Sequence, residues 1–250
     1  MVLSPYGFLP FPPFRLGLSH PLRGRGLITV PVLLNLGLPP QLALGTNKFQ
    51  ASFGSVSAAI HYSKGKAVDL NDCWLGVALT ACGSLLGTTL VQVIDPQILG
   101  KIIPWLLGAI VVYMLAKPKV GQHSCPPQMA HGPFFILFGL LLGFYDGFFG
   151  PGTGSFWTVA LVLLLGRSFL NATGVTKVMN ATSNVTSLAV FAVGGQVALD
   201  AGLTMAGGQV LGARVGSKLV MKKGSRFVQP IFFTMVALVI ARLVWVNYLE

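Results

Sequence analysis

The stretches near residues 43–63, 70–93, 98–116, 134–149, 152–166, 170–193, 199–221 and 226–248 are apolar almost from end to end. Several run about 18 to 24 residues, enough to cross a ~30 Å hydrocarbon layer at ~1.5 Å per helical residue. No other feature constrains the fold as much. Inside a bilayer every backbone N–H and C=O must find its partner within the protein, which leaves helices or a closed barrel. The apolar runs are continuous rather than alternating, so helices are the expected element. Charged residues are only 9% of the chain and hydrophobic ones 53%. A soluble domain carries about a quarter charged residues, so too little polar side chain is present to cover a globule in water. The expected class is all-α, a polytopic membrane helical bundle. The pieces 27–38, 134–149 and 152–166 are shorter and read as half-helices or re-entrant hairpins.

The net charge of +11 does not mark a nucleic-acid binder, because the basic residues sit at helix ends and in short loops rather than in one patch. Lys64 and Lys66, Lys117 and Lys119, and Lys222, Lys223 and Arg226 mark three loops as cytoplasmic by the positive-inside rule. The turns at 93–98 and 194–200 lack Lys and Arg and are expected on the other side. Cys73, Cys82 and Cys125 show no metal or redox spacing and read as packing residues. No metal and no cofactor is expected.

The chain resembles itself at a shift of 129 positions. Thr29 then falls on Thr158, Gly37 on Gly166, Gly45 on Gly174, Lys48 on Lys177, Gly83 on Gly212 and Gly87 on Gly216. The loop at 64–66 is basic and its counterpart at 193–195 is not, whereas the loop at 222–230 is basic and its counterpart at 93–101 is weakly charged. Equivalent loops on opposite sides imply inverted-topology repeats, which in secondary transporters meet at a midplane site built from broken helices. The expected organisation is a lead-in at 1–25, a first repeat at 26–119, a connecting loop at 120–133 and a second repeat at 134–250. Gly83-x-x-x-Gly87 and Gly208-x-x-x-Gly212-x-x-x-Gly216 place small residues on one helix face for close packing.

Two groups of residues could carry chemistry. The first is "GFYDGFFGPGTGSFW", Gly143 to Trp157. Asp146 is the one acidic residue in these apolar surroundings. Gly150, Pro151, Gly152, Thr153, Gly154 and Ser155 then stop one helix and start another, since proline lacks an N–H and glycine permits unusual φ. A half-helix starting near Thr153 would offer free N–H groups and a dipole to an anion. The alternative is a structural hinge with Asp146 as a local cap. The second group is a pair of polar stripes. Lys177, Asn180, Asn184 and Ser187 share one helix face; Lys48, Ser52, Ser55 and Ala59 do so in the other half, with Asn47 and Gln50 beside them. Polar stripes in membrane helices face the bundle interior. Lys48 and Lys177 either converge on a central anion or snorkel from helix ends. An enzyme is not expected. Intramembrane aspartyl proteases need a second aspartate in a GxGD setting, and Gly152-Thr-Gly-Ser155 is not GxSxG.

"GFYDGFFGPGTGSFW", "KVMNATSNVTSLAVFAVGG" and "GQVLGARVGSKLV" resemble the second half of the sulfite exporter TauE/SafE family, in its YfcA-like branch; "GLITVPVLLNLGLPPQLALGTNKFQASFGSVSAAI" resembles the first-half counterpart. The resemblance runs from about Gly26 to the carboxyl terminus. It implies an inner-membrane, multi-pass transporter of small sulfur-containing anions such as sulfite or sulfoacetate. An anion channel or a non-transport scaffold is the alternative reading. Partners would be the small anion and the lipid bilayer, with no nucleic acid and a homo-oligomer left open. The residues implicated are Asp146, Gly150, Gly152, Thr153, Gly154, Ser155, Asn47, Lys48, Lys177, Asn180 and Asn184. The family's glycine-rich loop before "LITVP" is replaced here by "GLSHPLRGRG". A reading-frame shift restored near Gly24 to Gly26 is the expected cause, so Arg23 and Arg25 are not counted as site residues.

Overall fold

The structure, a computed structural model, describes residues 26–64, 68, 69, 71–116, 126–208, 241 and 245. The lead-in at 1–25, most of the two last apolar segments, Gly212, Gly216, Cys125 and the basic loop residues other than Lys64 lie outside the described residues. The described chain forms helices α1 (Gly26–Asn35), α2 (Pro40–Lys64), α3 (Trp74–Val93), α4 (Pro96–Ala116), α5 (His131–Phe148), α6 (Thr153–Leu163) and α7 (Phe169–Val193). A further helix starts at 199 and is described to 208. No strand occurs among the described residues.

Lengths separate these helices by role. α3 and α5 are long and apolar enough to cross a bilayer. The sequence reading of 134–149 as a shorter piece is corrected here. Pro133 sits in the first turn of α5, where a proline costs no helical hydrogen bond, so the helix begins at His131. α1 and α6, at 10 and 11 residues, are half-helices. α2 and α7 have 25 residues each, about 37 Å at ~1.5 Å per residue. They are long enough to span but carry the polar stripes, and they bury them. Gln41, Asn47, Lys48, Gln50, Ser52 and Ser55 of α2 are buried, as are Ser183, Asn184 and Ser187 of α7. The exterior instead presents side chains such as Leu86, Trp105, Ile136, Leu141 and Val185. An apolar surface over a partly polar interior is what lipid as solvent demands.

α3, α5 and α7 run parallel. Gly83 and Gly87 of α3 lie against the α5 backbone, where an added Cβ would stand 2.4 Å from the Leu140 carbonyl oxygen and 2.1 Å from that of Phe144. Gly143 and Gly147 return the approach, at 2.6 Å from the Thr80 oxygen and 2.2 Å from that of Ser84. Contact at this distance is open only to residues without a side chain, and it supplies the dispersion that holds helices together in lipid.

α2 runs antiparallel to α7. Gly45 meets Gln196 and Phe191, Ser55 meets Asn184, and Gly174 meets Tyr62 and Val68. Both helices begin and end 129 residues apart, from Pro40 to Phe169 and from Lys64 to Val193. The Asn184–Ser55 hydrogen bond joins residues with that same separation. Each of these helices follows a half-helix, and the two hairpins share a contact. Thr29 bonds Asn47 in α1–α2, and Thr158 bonds Thr176 at 3.2 Å in α6–α7. Gly37 and Gly166 turn the two hairpins with positive φ of 84° and 63°. Two apolar clusters flank the polar middle. One holds Phe134, Phe135, Trp157, Val175 and Met179, and the other Leu44, Val91, Leu107, Phe149 and Phe191.

Candidate functional site

α5 stops at Phe148 because the residues after Phe149 cannot continue it. Gly150 has φ of 95° and Gly152 φ of 86°, conformations costly for any residue with a Cβ. Pro151, between them, has no N–H to continue the α5 ladder. Ending a helix leaves its last carbonyls without intrahelical donors. Here neighbouring groups satisfy them. The Tyr145 carbonyl accepts the N–H groups of Phe149 and Gly150, at 2.9 and 3.2 Å. The Gly147 carbonyl accepts the Thr88 hydroxyl at 3.0 Å, and the Asp146 carbonyl accepts Lys48 Nζ at 2.5 Å. A lysine is well suited there, since the helix dipole is negative at its C-terminal end.

Lys48 also makes an ion pair. Its Nζ lies 2.8 Å from Asp146 Oδ1, and the two residues are 1% and 4% exposed. The other carboxylate oxygen, Oδ2, accepts the Ser183 hydroxyl. Lys48 therefore does not snorkel; it is one of the largest fully buried side chains in the protein. Taking both charges out of water is tolerable only because each is matched and hydrogen-bonded. Behind the pair, Ser84 donates to the Ser183 carbonyl at 2.9 Å and bonds Ser187 at 2.8 Å, while Thr88 bonds Ser187 at 2.9 Å. These hydroxyls fix α3, α5 and α7 around the carboxylate.

α6 starts at Thr153, with left-handed Gly152 at its N-cap and no side-chain cap. The Thr153 hydroxyl donates to the Gly150 carbonyl at 2.7 Å, and the Tyr145 hydroxyl to that of Pro151 at 2.6 Å. Ser155, in the first turn of α6, is 1% exposed, and its hydroxyl has no partner among the described residues. The buried side-chain oxygen of Asn180 has none either. Asn180 packs on the start of α6, where a Cβ on Gly154 would stand 3.0 Å from its Nδ2. A Cβ on Gly150 would stand 3.0 Å from Asp146 Oδ1 and 3.2 Å from Lys48 Nζ. The glycines thus let the ion pair and Asn180 approach the backbone around the break closely. A buried polar atom without a partner costs about 1–3 kcal/mol, so the unpartnered Ser155 hydroxyl, a donor, and the Asn180 amide oxygen, an acceptor, mark places where a polar ligand can bond.

Of the residues singled out from sequence, Asp146, Lys48, Gly150, Gly152, Thr153, Gly154, Ser155 and Asn180 come together at this break. Asn47 packs next to it, bonded to Thr29. Asn184 bonds Ser55 at 3.2 Å, where α2 and α7 cross. Lys177 is half-buried. Antiparallel packing puts Lys48 and Lys177 seven residues to either side of that crossing, about 10 Å each along the helix axes. Sequence reasoning missed Ser183, Ser84, Thr88 and Thr29. Thr80, Ser84 and Thr88 recur every fourth residue on α3, and that helical spacing was the available signal.

At the end of the bundle where α3, α5 and α7 begin, Arg167 Nη2 lies 3.2 Å from Asp72 Oδ2 and 2.8 Å from His131 Nε2. Cys73, beside this cluster, is buried, and that burial pushes its thiol up to about 11 although Arg167 pulls the other way.

An apolar-surfaced helical bundle with a charge pair buried at a broken helix has the build of a membrane transporter. Residues 23–243 match the family described as sulfite exporter TauE/SafE, and the chain belongs to that family. It is 44% identical over 222 residues to a "Probable membrane transporter protein" of Haemophilus influenzae, covering 89% of this chain and 87% of that one. It is 42% identical to the "Probable membrane transporter protein YfcA" of Escherichia coli, covering 89% and 82%. A "Probable membrane transporter protein ORF9" from a Sinorhizobium species is 41% identical over 208 residues, covering 83% and 80%. No solved structure matches the chain.

Proposed function

We propose that this protein is a multi-pass inner-membrane carrier of a small anion, of the sulfur-containing kind that its family's description names. The observation that carries this reading is the buried Lys48 ammonium at the helix break, beside Gly150, with the unpartnered Ser155 hydroxyl in the first turn of the half-helix that follows. Cationic charge, a free hydroxyl donor and the positive end of a helix are the chemistry of an oxyanion site. A carrier also needs two halves that can exchange access to one site. The equal lengths of α2 and α7, their antiparallel crossing at Ser55 and Asn184, and the matching contacts of the two hairpins support two halves of opposite orientation.

Counterflow in proteoliposomes tests the reading. Purified protein is reconstituted with internal sulfite, methanesulfonate or sulfoacetate, and uptake of the same labelled anion is followed. Saturable exchange above protein-free liposomes is expected for at least one of the three. Non-saturating conductance would mean a channel instead, and no flux with any of them would defeat the transport reading.

A further inference from the structure

Lys48 and Asp146 satisfy each other, and that limits how an anion can bind beside them. The ammonium has three donors, of which two are committed to residue 146, at 2.8 Å to Oδ1 and 2.5 Å to the main-chain oxygen. The carboxylate already occupies the place at the ammonium that an anionic ligand would take. The groups facing Asp146 are few. α2 brings Lys48 and α7 brings Ser183. α3 brings the Ser84 and Thr88 hydroxyls, bonded to the Ser183 and Gly147 carbonyls. The break brings Gly150, and α6 brings no charged side chain. Tyr145, the chain neighbour, is held by the Pro151 carbonyl. Among the described residues Lys48 is the one charged member of this set, so these groups and Asp146 sum to zero charge. An anion that took Lys48 without further change would leave the site with one buried, unmatched negative charge. A buried carboxylate that loses its cation binds a proton instead.

We infer that Asp146 is a built-in stand-in for the substrate anion, displaced from Lys48 when substrate binds and neutralised then by one proton. This rests on the carrier reading above. Before binding, the site holds the Lys48 cation and the Asp146 carboxylate. After binding, it holds the Lys48 cation, one negative charge of the bound anion, and Asp146 as the neutral acid. Charge is conserved at zero in both. The proton is taken from water on the side from which the anion arrives and is released with it on the other. Lys48 keeps its three protons throughout. The cargo is therefore a singly charged anion together with one proton, and the Ser155 hydroxyl supplies a neutral donor that Asp146 does not use.

The test uses the full chain in proteoliposomes, with sulfite, methanesulfonate and sulfoacetate as probes, each against protein-free liposomes. An inward proton gradient of one pH unit should drive accumulation of an exchanged singly charged anion, such as methanesulfonate, about tenfold, the ratio for one coupled proton. A trapped pH dye should report one proton arriving per permanently ionised anion. Asp146→Asn removes the internal competitor. Its exchange should saturate several-fold lower in concentration, and its gradient-driven accumulation should fall to none. A residue with only a structural role would not tighten binding. Exchange in the wild-type protein without accumulation or dye response would overturn the inference while leaving the carrier reading standing. Accumulation surviving in Asp146→Asn would overturn it too. If that variant does not fold, the wild-type proton ratio decides. No exchange with any of the three anions defeats the carrier reading and takes the inference with it.

Discussion

Replacing Lys48 by methionine tests the ion pair most sharply. The substitution keeps most of the side chain's volume and removes only its charge. Asp146 is then left 4% exposed with Ser183 as its one side-chain donor, and its main-chain oxygen loses the Lys48 bond. Removing one partner of a buried pair costs about 3–5 kcal/mol. Asp146→Leu should cost a similar amount by stranding the ammonium. The double variant Lys48→Met/Asp146→Leu has no charge to strand. It forgoes the pair but leaves the residue 146 carbonyl and the Ser183 hydroxyl short of partners, at about 1–3 kcal/mol each. Against that, replacing a buried pair by apolar side chains returns about 1–4 kcal/mol. The double variant should therefore be no less stable than either single one. Unfolding by sodium dodecyl sulfate titrated into mixed micelles, followed by circular dichroism, gives the three differences. If the double variant loses the sum of the singles, about 6–10 kcal/mol, the two residues are not an energetic unit and Lys48 does not stabilise the protein by matching Asp146.

Gly143→Ala would place a Cβ 2.6 Å from the Thr80 oxygen and 2.9 Å from its Cα, so α3 and α5 must separate. A loss of about 1–3 kcal/mol is expected in the same assay, whereas Gly132→Ala, which meets nothing within 4 Å, should be silent there. Ser155→Ala deletes a buried hydroxyl without a partner. Stability should hold or rise while the half-saturation concentration for exchange increases roughly tenfold, the size of one lost hydrogen bond of about 1.4 kcal/mol; a stability loss with unchanged exchange would make the residue structural. Cys73 should resist alkylation in a Cys82→Ser/Cys125→Ser background. Only the thiolate reacts, and a thiol pushed up to about 11 is mostly protonated at pH 8. Its rate should lie roughly a hundredfold below that of the unfolded chain and climb about tenfold per pH unit up to that range. Equal rates in folded and unfolded protein would contradict the burial.

The sequence alone determined the solvent and the element type. Continuous apolar runs with 9% charged residues leave helices in a bilayer as the simplest solution. It also located the broken helix, because Gly150-Pro151-Gly152 cannot continue α5 whatever surrounds it. The boundaries of α2 and α7 and the 129-residue correspondence were legible for the same reason: they are local patterns repeated along one chain. Which side chain Asp146 would meet was not legible. Lys48 is 98 residues away, and its position eight residues into α2 fits a snorkelling lysine as well as a buried one. That choice was made by the glycine faces of α3 and α5, which let helices close on the carboxylate, and by α2 crossing α7 antiparallel, which brings Lys48 to the break. Pairing across such separations depends on which helix faces can approach, and local composition does not encode that. The tertiary structure also decided which polar atoms remain unpartnered. Ser155 and Ser183 read alike as small polar residues in apolar helices, yet Ser183 holds the carboxylate and the Ser155 hydroxyl has no partner among the described residues. Which of them finds a partner depends on the groups that helix packing brings within hydrogen-bond reach, and that exists only once the helices are packed.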